Sequence, residues 1–375
     1  YTTDWNHVFG TVTPPAIHSR LLRNLGATKP GYFEDTTELA GVRLDLAAGI
    51  IRDGEAVPEG VFTFAPAFVD LDADGWQDLA IAADAGTTAL FWNRGDGTFV
   101  RDDQEILRGD VRSDMGSTFG DIDGDGDFDW FLTNITCEGP YSMPAFFSSG
   151  CSRNQLLRND GQRRFSQHPS AVDVEIGYWG WGAVFFDADN DGDLDLAQTN
   201  GIEIPGEFGD FYIGTAYATD PMRFWRNDDV RFTEMSAAVG LISTGKGKGI
   251  LVFDYDRDGD LDLYVANSNA AGQLFRNDTI ASGNWLRVKV AGPPSYGATI
   301  SLTHRDGDPP QVREVGVASH FLGQSEDIAH FGLGPTSHPI ESVVISWPST
   351  GGIMHLESVA HGAEIVVRDP SRTDP

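Results

Sequence analysis

Cysteine is nearly absent: the 375 residues hold two, Cys137 and Cys151, so at most one disulfide can form. Basic residues are scarce as well. Lys and Arg total 26 against 56 Asp and Glu, a formal net charge of −30. That balance excludes a nucleic-acid binder, which needs clustered cations to neutralise phosphates. It equally excludes a surface that docks on anionic lipid. No apolar run approaches the 18 or more residues of a membrane-spanning helix, and helical periodicity is weak throughout. What is abundant is glycine (44) and proline (19), set among many short apolar runs. This pattern predicts an all-β chain with many turns, and its length allows one large domain or two to three smaller ones. Hydrophobic residues at 40% and aromatics at 11% supply a real core.

Such an excess of carboxylate repels itself and calls for a counter-charge. The aspartates cluster in one motif, D-x-D-x-D-G-x-x-D, that recurs four times. The copies lie in FVDLDADGWQDLAI from Phe68, FGDIDGDGDFDWFL from Phe119, FFDADNDGDLDLAQ from Phe185 and VFDYDRDGDLDLYV from Val252. A second motif recurs between them, as RLLRNLG (20–26), LFWNRGDGTF (90–99), NQLLRNDGQRRF (154–165), RFWRNDDVRF (223–232) and QLFRND (273–278). Alternating apolar and polar residues read as strands, and the Asn/Asp/Gly steps read as hairpin turns. Each repeat is therefore strand, Asp loop, strand and a hairpin of two more strands. That is a propeller blade. Four units fill 62–280, residues 17–45 read as the outer half of another blade, and about five blades are expected, with N-terminal strands helping to close the ring. From Asn284 the runs NWLRVKV, GATISLTHR, QVREVGV, ESVVISWP and AEIVVRD lack Asp loops. The expected division is a propeller over 1–283, a small β-sandwich-like domain over 284–369 and a tail over 370–375.

The Asp motif suits calcium, which takes six to eight oxygen ligands. Aspartates at positions 1, 3 and 5 converge on one point, Gly at 6 permits the reversal, position 7 offers its carbonyl and Asp at 9 closes the shell. The expected ligands are Asp70, Asp72, Asp74, the Trp76 carbonyl and Asp78; Asp121, Asp123, Asp125, the Asp127 carbonyl and Asp129; Asp187, Asp189, Asp191, the Asp193 carbonyl and Asp195; and Asp254, Asp256, Asp258, the Asp260 carbonyl and Asp262. Position 12 is Ile81 in the first loop and Leu132 in the second, and the flanks read as strands. These are therefore not EF-hands. Up to four calcium ions are expected. A shell filled by protein oxygen leaves no open position for Lewis-acid chemistry, so the metal is read as structural.

These segments resemble FG-GAP/VCBS repeats, the calcium-loop blades also seen in integrin α-subunit propellers. GNWLRVKVAG (283–292), GATISLT (297–303), QVREVGVASHFLGQSEDIAHFGLG (311–334) and ESVVISWPSTGG (341–352) look like an ASPIC/UnbV domain. The arrangement is similar to the cartilage acidic protein-like family. It departs at SHFLGQS, where members more often carry a G-Y-x-S-Q-type run. The resemblance implies an exported calcium-binding protein, secreted, periplasmic or at the cell surface, engaged in recognition or adhesion. It supplies no catalytic residue set.

A few residues outside these motifs also carry chemistry. Cys137 and Cys151 flank a Gly-, Pro- and Ser-rich stretch. They read either as a disulfide closing a surface loop, stabilising by roughly 3 kcal/mol, or as two buried thiols. Trp179, Trp181, Lys246 and Lys248 precede Asp loops, where a propeller channel opens. They are candidates to stack on a sugar or hold a carboxylate, or else to fill inter-blade core and face solvent. His320 and His330 sit in the C-terminal region, with a packing role favoured for HFGLG. Two RGD triplets, at 94–96 and 108–110, are too short to carry an adhesive role. The leading expectation is a non-catalytic recognition protein with a protein or glycan partner. Its rival is a propeller lyase, dehydratase or cyclase acting on a sugar or secondary metabolite at the channel mouth or domain interface.

Overall fold

The computed structural model describes residues 19–44, 50–52, 55–57, 63–84, 86–108, 112–138, 151–202, 217–279, 284–293, 295–317 and 319–372. The chain is all-β and β-propeller-like, with a β domain at its C-terminal end. Blade 1 pairs Thr63–Val69, Asp78–Ala83, Ala89–Asn93 and Phe99–Arg101 in chain order. Blade 2 follows with Ser117–Gly120, Asp129–Leu132, Gln155–Asn159 and Phe165–Gln167. Blade 3 is Gly180–Phe186, Asp195–Asn200, Arg223–Asn227 and Phe232–Glu234. Blade 4 has three strands, Gly247–Phe253, Asp262–Asn267 and Gln273–Phe275. All pairings within the blades are antiparallel.

The short apolar runs are explained by burial on both faces, because successive strand residues point to opposite sides. In blade 2, Trp130, Leu132 and Leu157 pack towards blade 1 against Val69, Ala80 and Trp92. Their neighbours Phe131 and Leu156 pack the other way, against Phe185, Leu196 and Trp225 of blade 3. Ahead of blade 1 lies the hairpin Leu22–Asn24 with Phe33–Asp35, followed by the one-turn helix Thr37–Ala40. Leu21, Ala40, Val42 and Leu44 seal it against Leu79, Ile81 and Phe91. This is the outer half-blade expected over 17–45. A second hairpin pairs Ile50–Arg52 with Glu55–Val57. The N-terminal strands expected to close the ring lie, up to residue 18, outside the described residues.

The C-terminal strands form two sheets. One orders Ile328–Gly334, Asn284–Val290 and Ala363–Val367, the last two parallel; the other orders Gln311–Glu314, Thr299–Thr303, Ile340–Trp347 and Gly352–Val359. Leu286, Ile300, Leu302, Phe331, Val343, Ile345 and Trp347 form the core between them. A hairpin from this region, Ser319–His320 with Gly323–Gln324, reaches the propeller hub. There Phe321 packs with Phe64, Met115, Trp179, Trp181 and Tyr217. Beyond the hairpin, the Val252 amide donates to Ser325 Oγ (3.0 Å) on the innermost strand of blade 4. The hub is thus filled by side chains, where the sequence reading placed an open channel.

Candidate metal centres

Each Asp motif forms the turn between the first and second strands of its blade. In all four, position 4 (Ala73, Gly124, Asn190, Arg257) and the position 6 glycine (Gly75, Gly126, Gly192, Gly259) have positive φ. At position 6 the φ of 87° to 106° is one that a side chain resists, which accounts for glycine in every copy. Carboxylate oxygens converge within 4.8 Å of one another in the sets Asp70/Asp72/Asp78, Asp121/Asp123/Asp125, Asp187/Asp189/Asp195 and Asp254/Asp256/Asp262. The position 5 aspartates turn one oxygen back to the amide of position 7: Asp74 to Trp76 (2.8 Å), Asp125 to Asp127 (3.0 Å), Asp191 to Asp193 (2.9 Å) and Asp258 to Asp260 (3.1 Å). At position 7 two side chains are engaged elsewhere. Asp193 accepts from the Asp229 amide, and Asp260 accepts from Asn190 Nδ2. Their carbonyls are what they can offer to the loop.

The position 9 aspartates are almost fully buried, and each accepts two backbone amides. Asp78 accepts from Leu71 and Asn93, Asp129 from Ile122 and Asn159, Asp195 from Ala188 and Asn227, and Asp262 from Tyr255 and Asn277. The four asparagines close the same loops from the far hairpin. Their Nδ2 groups donate to the position 8 carbonyls of Gln77, Phe128, Leu194 and Leu261. In the sequence these Asn read only as turn markers. Their recurrence at one place in each hairpin motif, after Arg in three copies and after Trp92 in the first, was the available signal for a structural role.

The loops hold more negative charge than their surroundings can satisfy. Buried Asp121 Oδ1, Asp123 Oδ1, Asp189 Oδ1 and Asp254 Oδ1 have no hydrogen-bond partner. Burial first, and neighbouring carboxylates next, push Asp70 and Asp121 up to about 6, Asp187 to about 7, and Asp78 and Asp129 to about 8. Asp195 is held well above its ordinary value for the same reasons. Orphaned, oxygen-only donor sets of this kind fit a hard divalent cation. His168 lies beside Asp123 and Asp129. Its Nδ1 accepts from the Ser170 amide (3.1 Å), so the proton of the neutral ring sits on Nε2. That atom is buried beside the carboxylates and has no hydrogen-bond partner among the described residues.

The C-terminal domain meets the loops. The Asp70 amide donates to Glu314 Oε2 (3.3 Å), the Gly332 amide donates to Asp187 Oδ2 (3.0 Å), and Arg287 is ion-paired with Asp254. Asp121 and Asp187 share the field of half-buried Arg313. His330 Nε2 contacts Asn190 Oδ1 (2.7 Å) within the third loop, as a buried packing residue beside Trp285. Only the backbone of His320 is described.

Trp179 and Trp181 are 8% exposed and sit in the hub. Lys248 Nζ lies 3.6 Å from the Trp181 ring centre and donates to the Gly201 carbonyl (2.6 Å). Lys246 occupies a left-handed turn (φ 60°) and has its own partners. The four residues are not brought to an open cleft, and packing accounts for both tryptophans. Cys137 and Cys151 form a disulfide with Cα atoms 5.6 Å apart, which resolves the alternative of free thiols. Most of the loop it closes, 139–150, lies outside the described residues, as do Gly109 and Asp110 of the second RGD triplet. The first triplet is in the turn before the outermost strand of blade 1, where Asp96 caps Thr98 (2.9 Å).

FG-GAP-like repeats match residues 70–132 and 144–197, and the ASPIC and UnbV domain matches residues 291–374. The chain is 26% identical over 366 residues to cartilage acidic protein 1 of Xenopus tropicalis, covering 95% of this chain and 50% of that protein. It is 28% identical over 300 residues to cartilage acidic protein 1 of Homo sapiens, covering 76% and 40%. The protein of Mus musculus gives 28% over 298 residues, covering 76% and 41%. The chain thus spans half or less of the length of these relatives. With its repeats and its C-terminal domain both matched, it belongs to the family that joins FG-GAP-like repeats to an ASPIC/UnbV domain.

Proposed function

We propose that this chain is an exported, non-catalytic recognition module whose four Asp loops each bind one structural calcium ion. The observation that carries the reading is the set of buried, unpartnered carboxylate oxygens inside loops of constant backbone geometry. The ligands would be the aspartates at positions 1, 3, 5 and 9 and the carbonyl at position 7 of each loop. Bound there, calcium neutralises the carboxylates that the fold forces together. The domain division at 283/284 goes with this reading, because the oxygen-rich loops stop before it. Relatives named for cartilage support an extracellular setting, and the disulfide suits one.

A catalytic reading asks for a cleft at the hub or between the domains. The hub is packed with aromatic side chains. Between the domains, a cavity lined by Phe185, Arg313, Glu314 and His330 has about 120 Å³, below the ~300 Å³ where ligand pockets begin, and a second of about 300 Å³ is walled by the second and third Asp loops themselves, through Asp121, Asp123, Asp191 and Asp193, with His304 and Arg313 opposite. Recognition of a protein or glycan on the outer surface is the reading these features favour. The test is native mass spectrometry of chelator-stripped chain reloaded with calcium, beside glycan and matrix-protein arrays with and without EGTA. Up to four bound ions and calcium-dependent array binding are expected. Zero uptake would sink the metal reading, and a blank array in calcium would sink the recognition reading.

A further inference from the structure

Four of the five copies of the outer hairpin share one register. In each of the four an asparagine ends the first strand of the hairpin and a phenylalanine faces it: Asn24 with Phe33, Asn93 with Phe99, Asn159 with Phe165 and Asn227 with Phe232. In blades 2 and 3 that phenylalanine is buried against the preceding blade, Phe165 among Val69, Leu71 and Trp92, and Phe232 among Ile122, Phe131 and Leu156. Blade 4 keeps the asparagine, Asn277, but the chain leaves for the C-terminal domain instead of turning back. Among the described residues its sheet ends at Gln273–Phe275, with no strand on the outer edge.

The place where its phenylalanine would pack is a cavity of about 250 Å³. Phe186, Phe224, Met235 and Leu241 line it from the blade 3 side, and Leu263 and Phe275 line it from blade 4. Dry apolar cavities of roughly 150 Å³ already take up benzene, so a phenyl group fits. Beside it runs a strand edge that pairs with no strand among the described residues and offers main-chain hydrogen bonds to an added strand.

We propose that this groove binds an extended segment of another protein, carrying a basic residue next to an aromatic one, as the missing fourth strand of blade 4. The aromatic side chain enters the cavity opposite Asn277, and the next two residues pair with Arg276 and Phe275. The chain itself indicates the chemistry. Two of its four own outer strands carry Arg164–Phe165 and Arg231–Phe232, where the other two have Tyr32–Phe33 and Thr98–Phe99. Arg163, two residues before Phe165, crosses to Asp72 of the preceding blade's loop (2.5 Å) although Asp72 belongs to that loop's carboxylate cluster, and the matching Asp189 lines the groove with Asp195, beside Arg226 and Arg276. A net charge of −30 favours a basic occupant and disfavours a second copy of the same chain.

The groove rests on the recognition reading and gives it a surface, yet a failed titration would leave the metal measurement untouched. The probe is a fluorescent peptide with the sequence of residues 161–168, GQRRFSQH, titrated with the full chain in calcium and read by anisotropy. Saturable binding is expected, weakened about tenfold or more by Phe→Ala in the peptide and weakened also by Arg→Glu. Leu241→Trp, which fills the cavity, should weaken it similarly, and the peptide variants probe the same pocket should that protein variant misfold. No saturation by about 1 mM peptide overturns the proposal. So does equal binding of the Phe→Ala peptide. A concentration-dependent dimer abolished by Leu241→Trp would assign the groove to a second copy and overturn it as well.

Discussion

An aspartate at position 9 and one at position 5 of the same loop do different work, although the motif writes them alike. Asp129 is buried, and both its oxygens accept backbone amides, from Asn159 (2.9 Å) and Ile122 (3.3 Å). Asp125 is exposed and accepts only the Asp127 amide (3.0 Å). Asp129→Asn sets an NH2 group against a backbone N–H and leaves a buried donor unpaired, which costs on the order of 1–3 kcal/mol with or without metal. Asp125→Asn should lower calcium uptake at the second loop and leave the metal-free melting temperature within about 1 °C. Calcium titrations and melting curves of the two variants in EGTA separate these outcomes. Equal melting temperatures in EGTA would contradict the assignment.

His330 gives a pH signature at the same scale. Burial, with Arg287 and Arg313 nearby, pushes its pKa down to about 3. Its unfolded value is near 6.5, so between these values the unfolded chain binds the extra proton and folding loses stability as pH falls. The loss begins below about pH 6.5 and continues towards pH 3. His330→Asn removes that titration, so the stability difference between wild type and variant should shrink as pH drops from 7 to 5. A pH-independent difference would contradict a neutral His330.

At the scale of the element, the blades were largely legible and their closure was not. Loop and hairpin motifs alternate at short range, so spacing alone placed Asp70 to Asp78 between two strands and Arg223 to Phe232 in a hairpin. The hub hairpin around Phe321 escaped because its contacts are with Phe64, Met115 and Trp181, residues remote in sequence. For Trp181 the sequence left two uses open, ligand platform or inter-blade core, since no local pattern tells a residue whether a distant phenylalanine covers it. The asparagine ties also act between elements. Asn159 Nδ2 reaches the Leu71 carbonyl of blade 1 (2.7 Å) as well as Phe128 of its own blade (3.4 Å), and Asn277 Nδ2 reaches Ala188 of blade 3 (2.7 Å). Asn159→Ala orphans a buried carbonyl at a blade junction. It should lower stability by about 1–3 kcal/mol while Asn24→Ala, in the exposed half-blade, changes it by less than ~0.5 kcal/mol. Denaturant midpoints of the two variants check this.

Across the whole molecule, the C-terminal domain and the Asp loops form one electrostatic unit. Arg287 is buried on Asp254, Arg313 stands near Asp121 and Asp187, and the Gly332 amide caps Asp187. Glu314, buried and pushed to about 8 by desolvation, joins the Asp70 amide to Gln77 (2.7 Å). The two cations and one amide that the domain contributes, with Arg163 on Asp72 from blade 2, cannot balance four clusters of carboxylates, so with no further cation the carboxylates within each loop repel one another. Calcium bound to each loop adds RT ln(1 + [Ca]/Kd) to the folded state, about 2.7 kcal/mol per site at a hundredfold excess over Kd. EGTA should therefore lower the melting temperature by on the order of 10 °C or more. It should also raise amide exchange at 311–314 and 328–334, the strands that touch the loops, before it does so at 340–347 in the far sheet. Gly332→Ala tests the same contact from the protein side. A Cβ there would lie 2.0 Å from Asp187 Oδ2, so the variant should show fast exchange at 328–334 even in saturating calcium. Exchange at those strands that ignores both EGTA and Gly332→Ala would mean that the domain is held by the hub hairpin alone.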